Sequence, residues 1–478
     1  MSLHMEIEPS PVTRISRWWR WLPRRGASNP IRHGGRQPAD STDTSIEVDL
    51  NQITNELIWL RDSATSAALA GRVIGLYEQL GQAAKVRYLT HLCEYLQVDA
   101  EPMVEAARAF VEDPSQANLL KLSEKTARPA GAFLAKLNHA SGGTMALVRM
   151  RADLLDHRSE IPGAEVLDHS FFEMFEAWFN RGFLDLRRID WTDSAEILEN
   201  IIRYEAVHTI DNWEGLRKRV QPSDRMLFGF FHHRFGAEPL IFVEVALSKG
   251  MPTRIESILA TPVHLDPNDA DTAVFYSISN CHPGLKGVPL GNLLIKQVVA
   301  ELSASFPNLK TYLTLSPVPG FTAWLKKAFS QQEVKLPDGF DDIDSLGAAI
   351  AAGEPESEEM KRIEKHVTPL AARYLALEKD RRGLPLDSVA RFHLGNGARL
   401  EHVNFAGDKG PKGIAQALGF MVNYRYFVGK SAADREKLTD RRGVPVSSAV
   451  RDLLGQTDED AGPTAAKKSR KREEPKAG

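Results

Sequence analysis

The sequence predicts a multidomain α and α/β protein, with an all-helical N-terminal domain followed by an α/β domain that carries the chemistry. Three observations predict this. Between residues 46 and 181, apolar side chains recur at three- and four-residue steps, the period of a helix buried on one face. From residue 182 onward, short β-branched and aromatic runs alternate with helical segments, which argues for helices layered on a sheet. A chain of 478 residues also exceeds one small core, so two or three domains are expected.

Composition narrows the class of partner. The 60 Lys+Arg and 63 Asp+Glu leave a net charge of −3, so no overall basic field points to nucleic acid. An anionic ligand must then be drawn by local positive groups. Two cysteines, Cys93 and Cys281, are too few for a disulfide framework or a four-ligand zinc site, which suits a reducing compartment. Cys281 reads as a small buried residue at a strand end more readily than as a reactive thiol. No apolar run reaches the roughly eighteen residues that span a bilayer.

Residues 1–45 read as a disordered arm. Arg14, Arg17, Trp18, Trp19, Arg20, Trp21, Arg24 and Arg25 make it basic and aromatic, so a membrane surface or a targeting role is the alternative. Met-Ser-Leu-His ahead of Met5 reads as an added leader. Residues 46–181 form the helical domain. Val73, Leu76, Tyr77 and Leu80 make one stripe, Tyr88, Leu89, Leu92 and Leu96 another, and Met103, Ala106, Ala107 and Phe110 a third. Breaks fall at Gly81, Pro102, Asp113-Pro114 and Pro129. With no glycine loop or paired carboxylates there, its task is packing, against the rest of the chain or another subunit.

The second domain spans 182–455. A helix is expected at Ala195–Tyr204, and strands at Arg225–Phe231 and Leu240–Leu247. His232 and His233 are adjacent, so on a strand they point to opposite sides and cannot share a metal; they read as surface or loop residues. Residues 332–358 read as an acidic excursion with one short helix, and Glu359–Lys379 as a helix. Asp380-Arg381-Arg382-Gly383-Leu384-Pro385 is echoed by Asp440-Arg441-Arg442-Gly443-Val444-Pro445, each followed by a serine, Ser388 or Ser448, able to cap a helix. Residues 456–478 read as a disordered, solvated tail. It ends in Lys476-Ala477-Gly478, which is not a peroxisomal address.

The domain is organised around residues 272–325. A strand at Ala273–Ile278 leads to a turn with Pro283, Gly284 and Gly287, and then to a helix with Leu290, Leu293, Leu294, Val298 and Leu302 on one side. A second strand, Thr311–Leu315, ends at Ser316-Pro317, and another helix starts near Phe321. First-turn amides have no partner inside a helix, and glycines let a backbone approach an anion closely. Lys286, Gly287, Val288, Pro289, Leu290, Gly291 and Asn292 are therefore candidate phosphate-holding residues; the alternative is an ordinary strand-to-helix turn. The stretch is neither a dinucleotide fingerprint nor a P-loop.

The run GLKGVPLGNLLIKQVV resembles the pyrophosphate loop and helix of GNAT-type acyltransferases. Together with LSPVPGF, FHLGNGARL and NYRYF, in that order, it is similar to the malonyl-CoA decarboxylase family over roughly residues 50–455. The resemblance implies a GNAT-like catalytic domain behind the helical one and assembly of a homo-oligomer, a tetramer built as a dimer of dimers. It also implies conversion of malonyl-CoA to acetyl-CoA and CO2, controlling malonyl-CoA in fatty acid metabolism, in a bacterial-type cytoplasm. Malonyl-CoA is the substrate, and no metal or organic cofactor is implied. A GNAT-type acyltransferase and a non-catalytic acyl-CoA-binding module remain the alternatives.

Ser316 closes a strand where ligands of α/β sheets gather, though a lone serine there is more often a turn residue. His393 falls in the last turn of a short helix capped by Asp387 or Ser388, where carbonyl dipoles favour a protonated ring suited to donating a proton. A structural histidine is the alternative. Tyr424 and Tyr426 read as tyrosines at a core edge. The resemblance assigns catalysis to Ser316, His393 and Tyr426; Ser316 and His393 are also expected to touch the substrate, and Asn396 is a candidate amide in the same pocket that positions the carboxylate or polarises the carbonyl. Animal members carry a glutamate where this chain has Pro289, so its role here is met otherwise or is dispensable.

Overall fold

Residues 41–178 fold as helices, as the spacing predicts. They are α1 (Ser41–Trp59), α2 (Ser63–Gln79), α3 (Gln82–Tyr95), α4 (Ala100–Glu112), α5 (Gln116–Thr126), α6 (Pro129–Asn138), α7 (Gly143–Asp156) and α8 (Ala164–Trp178). The computed structural model describes residues 41–427 and 444–455, apart from 61, 98–99, 127–128, 261–264 and 355. Residues 1–40, the second Asp-Arg-Arg-Gly at 440–443 and the tail 456–478 therefore lie outside the described residues. Helix α1 begins at Ser41, so the boundary expected at 45/46 falls inside a helix.

The first two stripes point inward: Val73, Tyr77, Leu80, Tyr88, Leu89, Leu92 and Leu96 are buried. The third behaves differently. Neither α4 nor α5 has a fully buried residue. Met103, Ala106, Ala107 and Phe110 are half-buried, and Val104, Val111, Leu119 and Leu120 are exposed. These helices pack on each other and leave an apolar side open.

Helices α7 and α8 meet the second domain. Arg151 of α7 is buried and gives Nε to Asp168 Oδ1 at 2.8 Å and Nη1 to the Gly284 carbonyl at 2.8 Å. Gly284 lies so close to α7 that a Cβ there would stand 1.8 Å from the Val148 carbonyl oxygen. The helical domain thus braces the glycine turn of the other domain, and one apolar core runs through both, from Leu50 to Val450.

The second domain starts with β1 (Asp185–Ile189), α9 (Ala195–Tyr204), α10 (Trp213–Val220), β2 (Arg225–Phe231), β3 (Ile241–Ser248), α11 (Glu256–Leu259) and β4 (Thr272–Asn280). It continues with α12 (Leu290–Ser305), β5 (Thr311–Thr314), β6 (Ser316–Pro317), α13 (Phe321–Ser330), α14 (Ile343–Ala352) and α15 (Glu358–Ala376). It closes with α16 (Ser388–Gly395), β7 (Arg399–Asn404), α17 (Pro411–Ala417), β8 (Met421–Tyr426) and α18 (Ser448–Leu453). The expected class, a helical domain followed by an α/β domain, is the one observed. The acidic excursion holds one helix, α14. The helix caps are Asp387 and Ser447, each one residue before the serine expected from the echo.

The strands form one sheet in the order β1-β2-β3-β4-β5-β8-β6, with β7 also on β8. Every pairing is antiparallel except β4 with β5, which α12 connects, as a parallel neighbour requires. That pairing covers Thr272↔Thr311 to Phe275↔Thr314 and then stops, while β4 runs on to Asn280. A register shift between Glu244 and Val245 of β3 puts a bulge in β4 at Tyr276. Bulges bend and twist a strand, so β4 parts from β5 and opens the sheet beside Ser316.

His232 and His233 lie in a loop, as expected, and His233 is exposed; the burial of His232 and the orientation of the rings depart from the reading. His232 is buried, and the two rings stack at 4.4 Å between centroids rather than pointing apart. They lie past the end of β2, where strand alternation no longer applies.

Candidate active site

The parted strands leave a cleft of about 220 Å³. Phe275 to Ile278 and Asn280 of β4 line one side, Ser316 and Pro317 another, and Ser388, Val389, Phe392 and His393 of α16 close it. Gly291 sits against the same wall: a Cβ there would lie 2.5 Å from Phe392 Cζ and 3.5 Å from Ile241 Cδ1. Ser316 and His393, 77 residues apart, thus line one opening, and Gly291 packs on the Phe392 ring behind its wall.

At the head of α12, the first helical bond runs from Leu293 N to the Pro289 carbonyl. The amides of Gly291 and Asn292 find no backbone acceptor among the described residues. Asn292 Oδ1 is also buried without a partner. Gly287 turns with φ +88°, a conformation glycine adopts freely.

Ser316, His393 and Tyr426 form a continuous chain. Ser316 Oγ donates to Thr314 Oγ1 at 2.9 Å. Its proton is then committed, so at 3.2 Å it accepts from His393 Nε2. Nδ1 of the neutral ring then accepts from the Tyr426 hydroxyl at 2.8 Å. We infer the Nε2–H tautomer from this run of donors. Asn396 lies beside Tyr426: its amide draws the phenol downward, while its Nδ2 is buried and has no hydrogen bond of good geometry.

The electrostatics of His393 overturn an expectation. The ring does sit in the last turn of α16, but it is buried and stacks on Tyr424 at 4.7 Å. Burial pushes its pKa down to about 3, so desolvation outweighs the carbonyl dipoles and the ring is neutral near neutral pH. Burial also raises Tyr426 and Tyr424 above the ordinary phenol value.

A stability prediction follows. In the unfolded chain this ring binds a proton below 6.5, whereas in the folded chain it does so only near 3. The unfolded state therefore holds more protons between those values, and stability falls as pH drops through that window and is complete above it. In urea titrations, wild type should lose ~2 kcal/mol more than His393→Gln between pH 6.5 and 5. Equal losses would contradict a buried neutral ring.

Two neighbours were not anticipated. Thr314 accepts from Ser316 and from the Tyr424 amide at 3.2 Å. It stands two residues before Ser316, and two-residue spacing on an extended chain puts both on one face. Tyr424 relates to Tyr426 in the same way. Among the described residues, no group of three or more His, Cys, Asp and Glu is placed to hold a metal ion.

Comparison with known proteins places the chain. Residues 182–463 match the malonyl-CoA decarboxylase C-terminal domain, and residues 96–179 the N-terminal domain of the same family. The mitochondrial malonyl-CoA decarboxylase of Anser anser anser is 37% identical over 350 residues, 68% of this chain and 69% of that protein. The crystal structure of malonyl-CoA decarboxylase from Rhodopseudomonas palustris is 42% identical, with a TM-score of 0.74 over 85% of this chain and 99% of its own. The structure from Agrobacterium vitis is 40% identical, with a TM-score of 0.77 over 85% and 100%. By two family domains covering most of its length, and relatives this similar over two thirds of it or more, the chain belongs to the malonyl-CoA decarboxylase family.

Proposed function

We propose that this chain is a carboxy-lyase that converts malonyl-CoA to acetyl-CoA and CO2 in the cleft between β4 and β6. The observation that carries the reading is the Tyr426–His393–Ser316 chain opening on a cleft whose Phe392 wall packs on Gly291 at the head of α12, where the amides of Gly291 and Asn292 have no backbone acceptor among the described residues. The amides of Gly291 and Asn292, the close turn from Gly287 through Val288, Pro289 and Leu290, and Lys286 hold the CoA diphosphate. Anchoring that tail fixes the thioester in the cleft.

Loss of CO2 sends the bond pair through the α-carbon into the thioester carbonyl, which serves as the electron sink. The step is therefore routed through no metal or organic cofactor. Hydrogen-bond donors aimed at the developing enolate oxygen lower the barrier, and the Asn396 amide, beside Tyr426, is the candidate donor. The enolate is far more basic than any group in the chain, so an imidazolium is not needed. Ser316 gives its proton to the α-carbon and takes the Nε2 proton of His393, whose Nδ1 takes the proton of Tyr426. A solvent proton taken up at the vacated Nε2, with Nδ1 returning its proton to the Tyr426 oxygen, then restores the starting tautomer and supplies the one proton the reaction consumes.

The test is incubation with malonyl-CoA alone. Acetyl-CoA and CO2 should appear with no acceptor present. An absolute requirement for an amine acceptor would instead favour the acyltransferase reading, and tight binding without turnover the binding-module reading.

We also propose that the protein is a homo-oligomer, a tetramer built as a dimer of dimers, in which the open side of α4 and α5 meets a second copy. Helix α4 carries Glu101, Glu105 and Glu112 against Arg108, a net negative charge, and α5 carries Lys121 and Lys125 against Glu124, a net positive one. Two copies laid head to tail set opposite charges together around the exposed Val111 and Leu120. In light scattering, Val111→Asp with Leu120→Asp should lower the assembly mass; an unchanged mass contradicts this docking. Both cysteines are buried free thiols, which suits the cytoplasmic setting we assign.

A further inference from the structure

Glu205 follows α9 and is almost fully buried, yet the reaction above leaves it unused. Its carboxylate accepts from four groups. Oε1 takes the amides of Val207 at 2.9 Å and His208 at 2.7 Å. The Ser277 hydroxyl reaches both oxygens at 2.8 Å, and the Ser279 hydroxyl reaches Oε2 at 3.0 Å. The loop is pinned further by Lys412, whose Nζ donates to the Ala206 and Val207 carbonyls at 2.8 and 3.1 Å. Val207 and Ser277 both line the cleft.

Ser277 has one proton, and it is spent on Glu205. Ser277 lines the cleft, and an oxygen whose one proton is spent has only lone pairs left to offer a ligand there. A substrate carboxylate or thioester carbonyl brought there meets an acceptor and is repelled; a donor is welcomed. The donors nearest the sulfur of an acyl-CoA are the amide N–H groups of its pantetheine arm.

We propose that Glu205 is a positioning residue that turns the Ser277 oxygen into an acceptor for the pantetheine amide N–H next to the thioester. This directs the acyl end away from Ser277 and towards Ser316 and His393. The inference rests on the decarboxylase reading and adds a binding direction to it.

The test compares two short substrates on the full chain: malonyl-N-acetylcysteamine, which keeps the amide, and its oxoester counterpart, in which that N–H is replaced by oxygen. Wild type should prefer the amide by about 10-fold in kcat/KM, the worth of one hydrogen bond lost against a buried acceptor. The difference should lie mainly in KM. Ser277→Ala should bring the ratio to about one. Glu205→Gln, whose amide would donate to Ser277 and free the hydroxyl proton, should bring it to one or below. A merely structural role would lower both substrates alike and leave the ratio intact, so a wild-type ratio in Ser277→Ala overturns the proposal, even if Glu205→Gln fails to fold. Should wild type process both substrates with no preference, the positioning role fails while the decarboxylase reading stands. Turnover of neither these substrates nor malonyl-CoA removes that reading itself.

Discussion

Replacing His393 by alanine should lower kcat for malonyl-CoA by about 100-fold or more, the scale of losing one well-placed group in a transition state. The ring does two things that no neighbour duplicates. Its Nε2 holds Ser316 at 3.2 Å and its Nδ1 takes the Tyr426 hydroxyl at 2.8 Å, so its loss cuts the proton route at the middle. CoA affinity should change little, because the diphosphate anchor lies on α12. Ser316→Ala should fall similarly, and the double variant should be little worse than either single one, since groups in one relay do not add independently. Steady-state kinetics with calorimetric CoA binding reads all of this. Near-normal turnover in both single variants would remove the dyad.

Gly284→Ala should be the most damaging change outside the cleft. The added Cβ would stand 1.8 Å from the Val148 carbonyl oxygen, 2.8 Å from its carbon and 3.2 Å from the Ala152 amide. All three are backbone atoms of α7, so no side-chain rotation relieves the clash. Forcing the turn off α7 should cost ~3 kcal/mol, the upper end of ordinary overpacking. The same turn leads into residues 286–292, so KM should rise as well. Thermal unfolding and KM, measured together, check this; a melting temperature and a KM both equal to wild type would contradict the close approach.

Much of the architecture was legible because it is local. The switch from helical spacing to alternating strands near residue 184, the strand–glycine turn–helix at 272–305 and the strand ending at Ser316 are written in periodicity and turn chemistry. The candidate site was legible in part. Ser316 and His393 line one cleft, Tyr426 bonds His393 from behind, and Gly291 packs on its Phe392 wall.

What escaped depended on partners distant in the chain. The helix position of His393 suggested a charged ring, but Tyr424 and Tyr426 of β8 bury it, and no local signal announces that burial. Strand alternation misread His232 and His233 because β2 ends just before them. Glu205 was overlooked for the same reason: its partners Ser277 and Ser279 lie more than seventy residues on, in β4.

A structure with a non-hydrolysable malonyl-CoA analogue tests the central claim most directly. The account predicts diphosphate oxygens on the amides of Gly291 and Asn292, and the α-carbon within about 3.5 Å of Ser316 Oγ, a reactive approach distance. A diphosphate bound elsewhere, or an acyl group lying outside the cleft formed by β4, Ser316 and His393, would contradict it.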